Sequence, residues 1–199
     1  MRKLLYLFGF LAIVSFDLSA HNSEEGVVIA GVRWATRNVD APGTFAQNPE
    51  DTGQFYQWGR QQGWAATGAV SNWNSSISSD SGWLSADDPC PTGWRVPTAD
   101  ELRSLRDAGG EWTTKNGVYG MLFGIAPNQI FLPAVGERRG SDGRLFRTGI
   151  ERGHYWSSTR DRQHWTLIMG LSFDSHWRRV VVSSSSIDNG HSIRCVAID

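Results

Sequence analysis

The chain has 199 residues, of which 40% are hydrophobic and 20% are charged. This composition is typical of one globular domain and excludes a disordered chain. The formal net charge of -1 leaves no electrostatic basis for binding nucleic acid or an anionic membrane surface. The ten tryptophans are the unusual feature, because each indole favours burial while its N–H group needs a hydrogen-bond acceptor.

The N-terminal segment is typical of a secretory signal peptide. Arg2 and Lys3 precede an apolar run over residues 4–16, which is too short to span a bilayer comfortably. A small residue ends the segment, so we expect residues 1–20 to be removed and residues 21–199 to form a single domain. No later stretch is apolar enough to cross a membrane. The protein is therefore predicted to be exported to the periplasm, the cell surface or the medium.

The first half of the mature chain is irregular. The β-branched residues of segment 26–39 predict two short strands separated by a glycine, and segment 53–60 is short, aromatic and bounded by glycines. Segment 61–89 has neither a helical nor a strand period and is rich in Ser, Gly, Asn and Asp. Its tryptophans are Trp64, Trp73 and Trp83. Loops of this length inside compact domains are uncommon and often functional.

One helix start is clearly marked in the sequence. Thr98 and Glu101 have the spacing of a capping box, in which each side chain accepts a hydrogen bond from the other residue's backbone. Leu102 and Leu105 supply an inward face, and the glycines at 109–110 end the helix. The pattern predicts a helix of about three turns, close to the mean length in globular proteins.

The second half of the chain is predicted to be mainly β-structure. The candidate strands cover residues 118–123, 129–136, 154–159, 165–173, 176–182 and 191–198. The fourth and fifth form a hairpin across a tight turn, and residues 137–153 form a polar, glycine-rich connection. Alternation in the fourth strand places on one face the residues Trp165, Leu167, Met169, Leu171 and Phe173.

Several segments together resemble a known family. They include DPCPTGWRVPTADELRSL at residues 88–105, FLPAVGERRG at 131–140, GHYWSST at 153–159 and HSIRCV at 191–196. In this order they are similar to the major paralogous domain family first described from Fibrobacter, and the likeness covers nearly the whole mature chain. The resemblance implies a C-type lectin-like fold, related to that of the formylglycine-generating enzymes. The expected class is α+β, with twisted antiparallel sheets, one or two short helices and long irregular loops.

The two cysteines, Cys90 and Cys195, allow more than one role. An even count in an exported protein favours a disulfide over a reactive thiol, which would need a basic partner. The resemblance implies that these two residues pair with each other. Formylglycine-generating chemistry needs active-site cysteines, so it is not expected in a chain whose cysteines are paired.

No metal or cofactor is predicted. Calcium-dependent lectins of this fold carry a carboxylate before a Pro-Asn pair, whereas this chain has Ala126 there. Asp80 and the pair at 87–88 are better explained as acidic surface turns, because Ca²⁺ needs six to eight oxygen ligands. An N-terminal His21 could chelate copper only with a second histidine at ligand spacing. The remaining histidines, none at such a spacing, are His154, His164, His176 and His191.

The predicted function is a non-catalytic binding or adhesion module. The sequence contains no nucleophile elbow, metalloprotease motif, phosphate-binding loop or dinucleotide fingerprint. Two alternatives stay open: a carbohydrate-active enzyme whose carboxylates meet only in space, and a structural subunit of a surface fibre.

The predicted ligand surface lies on the irregular loops. Its residues are Trp64, Trp73, Trp83, Arg138 and Arg139. Exposed indoles stack on sugar faces and anchor protein interfaces, so the expected partner is a glycan or a surface protein. The competing interpretation is that the three tryptophans fold onto the body of the domain and hold a long loop in place.

Overall fold

The computed structural model describes residues 26–76, 82–146 and 151–198. The predicted signal peptide at residues 1–20, together with His21 and Asp80, lies outside the described residues. Within the described ranges, no helix has the length and apolar character that crossing a bilayer requires.

The described chain is mostly β-structure with one short helix, which agrees with the predicted α+β class. The helix is α1 (Ala99–Asp107), and a single 3-10 turn covers Ser85–Asp87. The strands are β1 (Val27–Ile29), β2 (Val32–Trp34), β3 (Phe55–Gln57), β4 (Gly63–Trp64), β5 (Trp94–Arg95), β6 (Gly110–Lys115), β7 (Val118–Ile125), β8 (Asn128–Pro133), β9 (Glu137–Arg138), β10 (Leu145–Phe146), β11 (Arg152–Arg160), β12 (Leu167–Asp174), β13 (Val180–Ser186), β14 (Gly190–His191) and β15 (Val196–Ala197).

These strands form four small antiparallel sheets. Their strand orders are β1-β2-β15-β5, β10-β9-β14-β3-β4, β11-β12-β13 and β6-β7-β8. The predicted first pair of strands and the predicted β12–β13 hairpin are both confirmed. Six of the described strands have only two residues, so much of the fold between the longer hairpins is irregular.

The predicted capping box is confirmed. The Thr98 hydroxyl accepts from the backbone N–H of Glu101, and a Glu101 carboxylate oxygen accepts from the Thr98 N–H at 2.7 Å. Leu102 and Leu105 are fully buried, as the periodicity predicts. The helix therefore packs one apolar face on the sheets while its first turn is fixed by side chains.

The disulfide between Cys90 and Cys195 is present and joins residues 105 positions apart in the sequence. Cys90 ends the long irregular segment just before the helix, and Cys195 immediately precedes β15. Both contact a buried cluster that includes Trp58, Trp156 and Ile193. The bridge ties the irregular first half of the domain to its last strand and is compatible with the predicted export.

Several details of the predicted strands are wrong. The predicted strand at 176–182 begins only at Val180, because the residues before it form the turn, the predicted connection at 137–153 contains β9 and β10, and β6 was not predicted. Residues 191–198 form β14 and β15 in different sheets, because Arg194 between them turns inward and donates to Asn38 Oδ1 and the Phe131 carbonyl. Trp165 lies before β12 and is 64% exposed, whereas Ile168 is buried. The register of β11 against β12 shifts between Trp156 and Arg160, which breaks the simple alternation at this end of β12.

Candidate functional site

The three loop tryptophans do not form an exposed, coplanar surface. Trp64 is only 6% exposed, and Trp73 and Trp83 are half-buried. The rings of Trp64 and Trp73 contact each other at 5.0 Å between centroids and are tilted by 46°. Trp83 instead makes an edge contact with Trp58. The three rings therefore belong to two separate packing clusters.

Hydrogen bonds also point these indoles inward. The Trp73 Nε1 group donates to the Gly140 carbonyl at 2.8 Å, and the Trp83 Nε1 group donates to the Asp87 carbonyl at 2.8 Å. The Trp73 ring covers Gly143 so closely that a Cβ atom there would lie 2.6 Å from it. This geometry supports the interpretation of these rings as loop anchors.

The two adjacent arginines have opposite environments. Arg138 is fully buried, and its guanidinium donates to the carbonyl oxygens of Ala65, Thr67, Gly68 and Gly143. Arg139 is exposed, and its guanidinium lies 3.8 Å from the centroid of the Phe146 ring. Arg138 thus holds the loop from inside the protein, and Arg139 alone of the pair faces solvent.

A concave surface lies elsewhere, on the outer face of the β11-β12-β13 sheet. This cleft has a volume of about 530 Å³, within the usual range for small-molecule sites. Its lining residues are Arg152, His154, Ser172, Phe173, Asp174, Trp177, Arg179 and Val181. Strand pairing places Ser172 between His154 on β11 and Val181 on β13, so this row forms the floor.

The wall of the cleft is the turn that joins β12 to β13. An Asp174 carboxylate oxygen accepts from the Trp177 backbone N–H at 2.7 Å, and the Arg178 N–H donates to the Asp174 carbonyl at 3.1 Å. These local bonds close the turn without help from the indole. Trp177 is 73% exposed, and its ring meets the neighbouring His176 ring edge-on.

The charges in the cleft are predominantly positive. Among the described residues, Arg152 and Arg179 line it together with one carboxylate, Asp174. The buried Nε atom of Arg152 has no hydrogen-bond partner among the described residues. The lining of the cleft therefore combines two guanidinium groups with an exposed indole, an arrangement suited to a ligand with both an apolar face and an acceptor group.

Next to the cleft floor, three backbone pairings bring Glu137, His154 and His191 together. In β9–β14, Gly190 lies opposite Arg138, so Glu137 and His191 are neighbours across the strands. A parallel bridge pairs Tyr155 with Ser192 and so aligns the two preceding histidines. A second parallel bridge, between Gly136 and Gly153, aligns Glu137 with His154.

The side chains of this cluster, which we call the Glu-His-His cluster, are in contact. His191 Nε2 lies 2.8 Å from a Glu137 carboxylate oxygen, and the rings of His154 and His191 are 5.1 Å apart between centroids. On its other side the His191 ring stacks on Trp156 at 3.9 Å. The indole N–H of Trp156 is fixed by the Tyr56 carbonyl, so the His191 ring has a rigid support.

Electrostatics determine the charge of two of the three residues of the cluster. Burial would raise the pKa of Glu137, but the hydrogen bond from His191 and the nearby positive charges lower it to about 2. Burial, with a contribution from His191, lowers the pKa of His154 to about 4. Near neutral pH, Glu137 is therefore a carboxylate and His154 a neutral imidazole, the forms of both groups that can ligate metal ions.

The Glu-His-His cluster was not predicted from the sequence, which led us to expect no metal ligands. Its members lie on three strands that meet through single-residue bridges, so no local spacing reveals them. The acidic pair at 87–88 has a structural role instead, because Asp88 accepts from the backbone N–H groups of Cys90 and Val96. Burial raises the pKa of Asp88 despite these bonds.

Comparison of the chain with protein-family models, with curated proteins and with solved structures finds no match in any of the three. Function therefore has to be argued from the cleft and the cluster themselves.

Proposed function

We propose that the protein is an exported, non-catalytic binding module that holds an acidic glycan in the cleft beneath Trp177. The observation that carries this proposal is an indole that is 73% exposed on the wall of a cleft of about 530 Å³. An exposed indole offers a flat apolar face, and a sugar ring presents a matching face of C–H groups. Hydrogen bonds to Asp174 fix the backbone of the turn that carries this indole.

The charged residues define the class of sugar. Arg152 and Arg179 outnumber the single carboxylate of Asp174 in the cleft, so the site favours an anionic ligand. A guanidinium binds a carboxylate or sulfate through paired, charge-assisted hydrogen bonds. The expected ligand is thus a uronic-acid, sialic-acid or sulfated saccharide of one or two rings.

The concave shape favours a glycan over a protein partner. A stable protein interface typically buries about 800 Å² on each side, whereas this surface is a cleft of about 530 Å³, the size of a small-molecule site. The single lining carboxylate also favours binding over glycoside hydrolysis, which uses a pair of carboxyl groups flanking the bond.

For the scaffold, we propose a C-type lectin-like domain of the major paralogous family first described from Fibrobacter. The small antiparallel sheets, the single short helix and the long irregular segment closed by the Cys90–Cys195 bridge support this assignment. In this arrangement the cleft is presented by the β12–β13 hairpin.

The test is a glycan array probed with the purified mature chain, followed by titration of the best acidic saccharide. Trp177→Ala should weaken binding by about tenfold or more, as loss of a central aromatic anchor does. Trp165→Ala is the matched control, because Trp165 is 64% exposed but does not line the cleft. An array without hits, or equal affinity of the two variants, would overturn the proposal.

A further inference from the structure

We propose that the Glu-His-His cluster of Glu137, His154 and His191 binds one divalent transition-metal ion, with Zn²⁺ as the expected occupant. Two imidazoles and one carboxylate form the three-ligand set of open zinc sites, which leave a further coordination position for water or a ligand. Hard cations such as Ca²⁺ are not suited to the cluster, since they need many oxygen ligands.

The geometry is close to that of a bound ion. One ligand atom from each residue lies within 4.8 Å of the others, and the closest pair, on Glu137 and His191, is 2.8 Å apart. Ligand atoms around a tetrahedral Zn²⁺ lie roughly 3.4 Å apart, given metal–ligand distances of about 2.1 Å. Small side-chain rotations would bring the three atoms to this spacing.

The backbone preorganises these ligands. Each pair of cluster residues is aligned by its own bridge or strand pairing, so all three Cα positions are fixed before any ion binds. Trp156 stacks beneath the His191 ring and limits its rotation. Support of this kind lowers the cost of ordering a metal site and determines its geometry.

The surroundings leave space for an ion. His191 is 1% exposed, so its ring lies inside the domain, and its Nε2 atom faces the Glu137 carboxylate. Both histidines also line a cavity of about 100 Å³, which is large enough for an ion and a bound water.

The position of the cluster connects it to the larger cleft. His154 lines both the small cavity and the cleft beneath Trp177. His154 would therefore link an ion held by the cluster to the cleft floor. The metal proposal nevertheless stands on the cluster alone, and it can be tested without any saccharide.

The experiment is calorimetric titration of the metal-stripped mature chain with Zn²⁺, with Co²⁺ as a spectroscopic probe. We expect one ion per chain, visible d–d absorption of low-coordinate Co²⁺, and a Tm that rises with Zn²⁺ concentration. Glu137→Gln and His154→Gln should each weaken binding about tenfold or more. His164→Gln, which changes an exposed histidine outside the cluster, should bind like the original chain.

The two cluster variants change residues on different strands, so one can keep its fold even if the other does not. A native near-UV circular dichroism spectrum in either variant is enough for the test. The isosteric Glu137→Gln change keeps the shape of the side chain. Absence of Zn²⁺ binding to the original chain would overturn the proposal. So would unchanged stoichiometry and affinity in a folded cluster variant, because the ion would then be held elsewhere.

Discussion

The long, mostly irregular segment at residues 61–76 and 82–89 and the short turn at residues 174–179 both carry tryptophan, but they orient it in opposite ways. In the long segment, Trp64 and Trp73 pack on each other, and Trp83 packs on Trp58. In the short turn, Trp177 is 73% exposed.

The length of each loop explains the difference. A long segment has few hydrogen bonds of its own and pays a large conformational entropy to become ordered, so it needs apolar anchors from within. The short turn is closed by the Asp174 carboxylate and carbonyl, which bind the N–H groups of Trp177 and Arg178. Its tryptophan is not needed as an anchor and remains available for a ligand.

The largest expected effect comes from releasing the long segment at its end. Replacing Cys90 and Cys195 with serine should lower the free energy of unfolding by about 4–5 kcal/mol, because the bridge closes a loop of 105 residues. Urea unfolding measures the loss, and hydrogen exchange should rise more at residues 82–96 than in the turn at 174–179. The reduced original chain is the control and should match the double variant. Coincident unfolding curves with and without the bridge would show that the segment is held by its other contacts.

A second pair of variants tests the comparison directly. Trp64→Ala should lower the free energy of unfolding by about 3–5 kcal/mol, the usual range for removing a large buried aromatic side chain. Trp177→Ala should change the free energy of unfolding by less than about 0.5 kcal/mol, as exposed positions generally do. Thermal and urea unfolding measure both. If Trp177→Ala destabilises the protein as much as Trp64→Ala, the exposed indole is a structural anchor and the comparison fails.

The local features of the fold could be predicted from sequence because their signals are contiguous. Thr98 and Glu101 are three residues apart and form the capping box as predicted. The alternation of apolar residues likewise placed Leu171 and Phe173 in the core. Trp165 was assigned to the same face incorrectly, since the strand begins only at Leu167 and the neighbouring strand shifts its register.

The site could not be predicted, because it depends on contacts between distant segments. Single bridges at Tyr155–Ser192 and Gly136–Gly153 assemble the Glu-His-His cluster, and such bridges leave no periodic pattern in a sequence. The position of Trp177 depends on how one turn closes. The sequence composition pointed instead to the tryptophans of the long segment. Anchoring of the loop explains those residues as well as ligand binding does.

The smallest of these effects separates two neighbouring arginines, both of which the sequence assigned to the ligand surface. Arg138 is fully buried, and four carbonyl oxygens accept hydrogen bonds from its guanidinium, three of them in the segment at residues 65–68. Arg138→Met keeps the apolar stem but leaves those carbonyls without donors. This variant should lose about 2 kcal/mol or more of its free energy of unfolding, since buried hydrogen bonds to a charged group contribute this much.

Arg139→Met is the matched control for that change. Arg139 is the next residue, it is exposed, and its described contact is with the Phe146 ring. An exposed cation–π contact contributes about 0.5–1 kcal/mol, so this variant should lose less stability than Arg138→Met in the same urea titration. Equal losses would mean that the buried guanidinium does not hold the long segment. A larger loss for Arg138→Met would show that this segment is ordered by contacts reaching it from the rest of the domain.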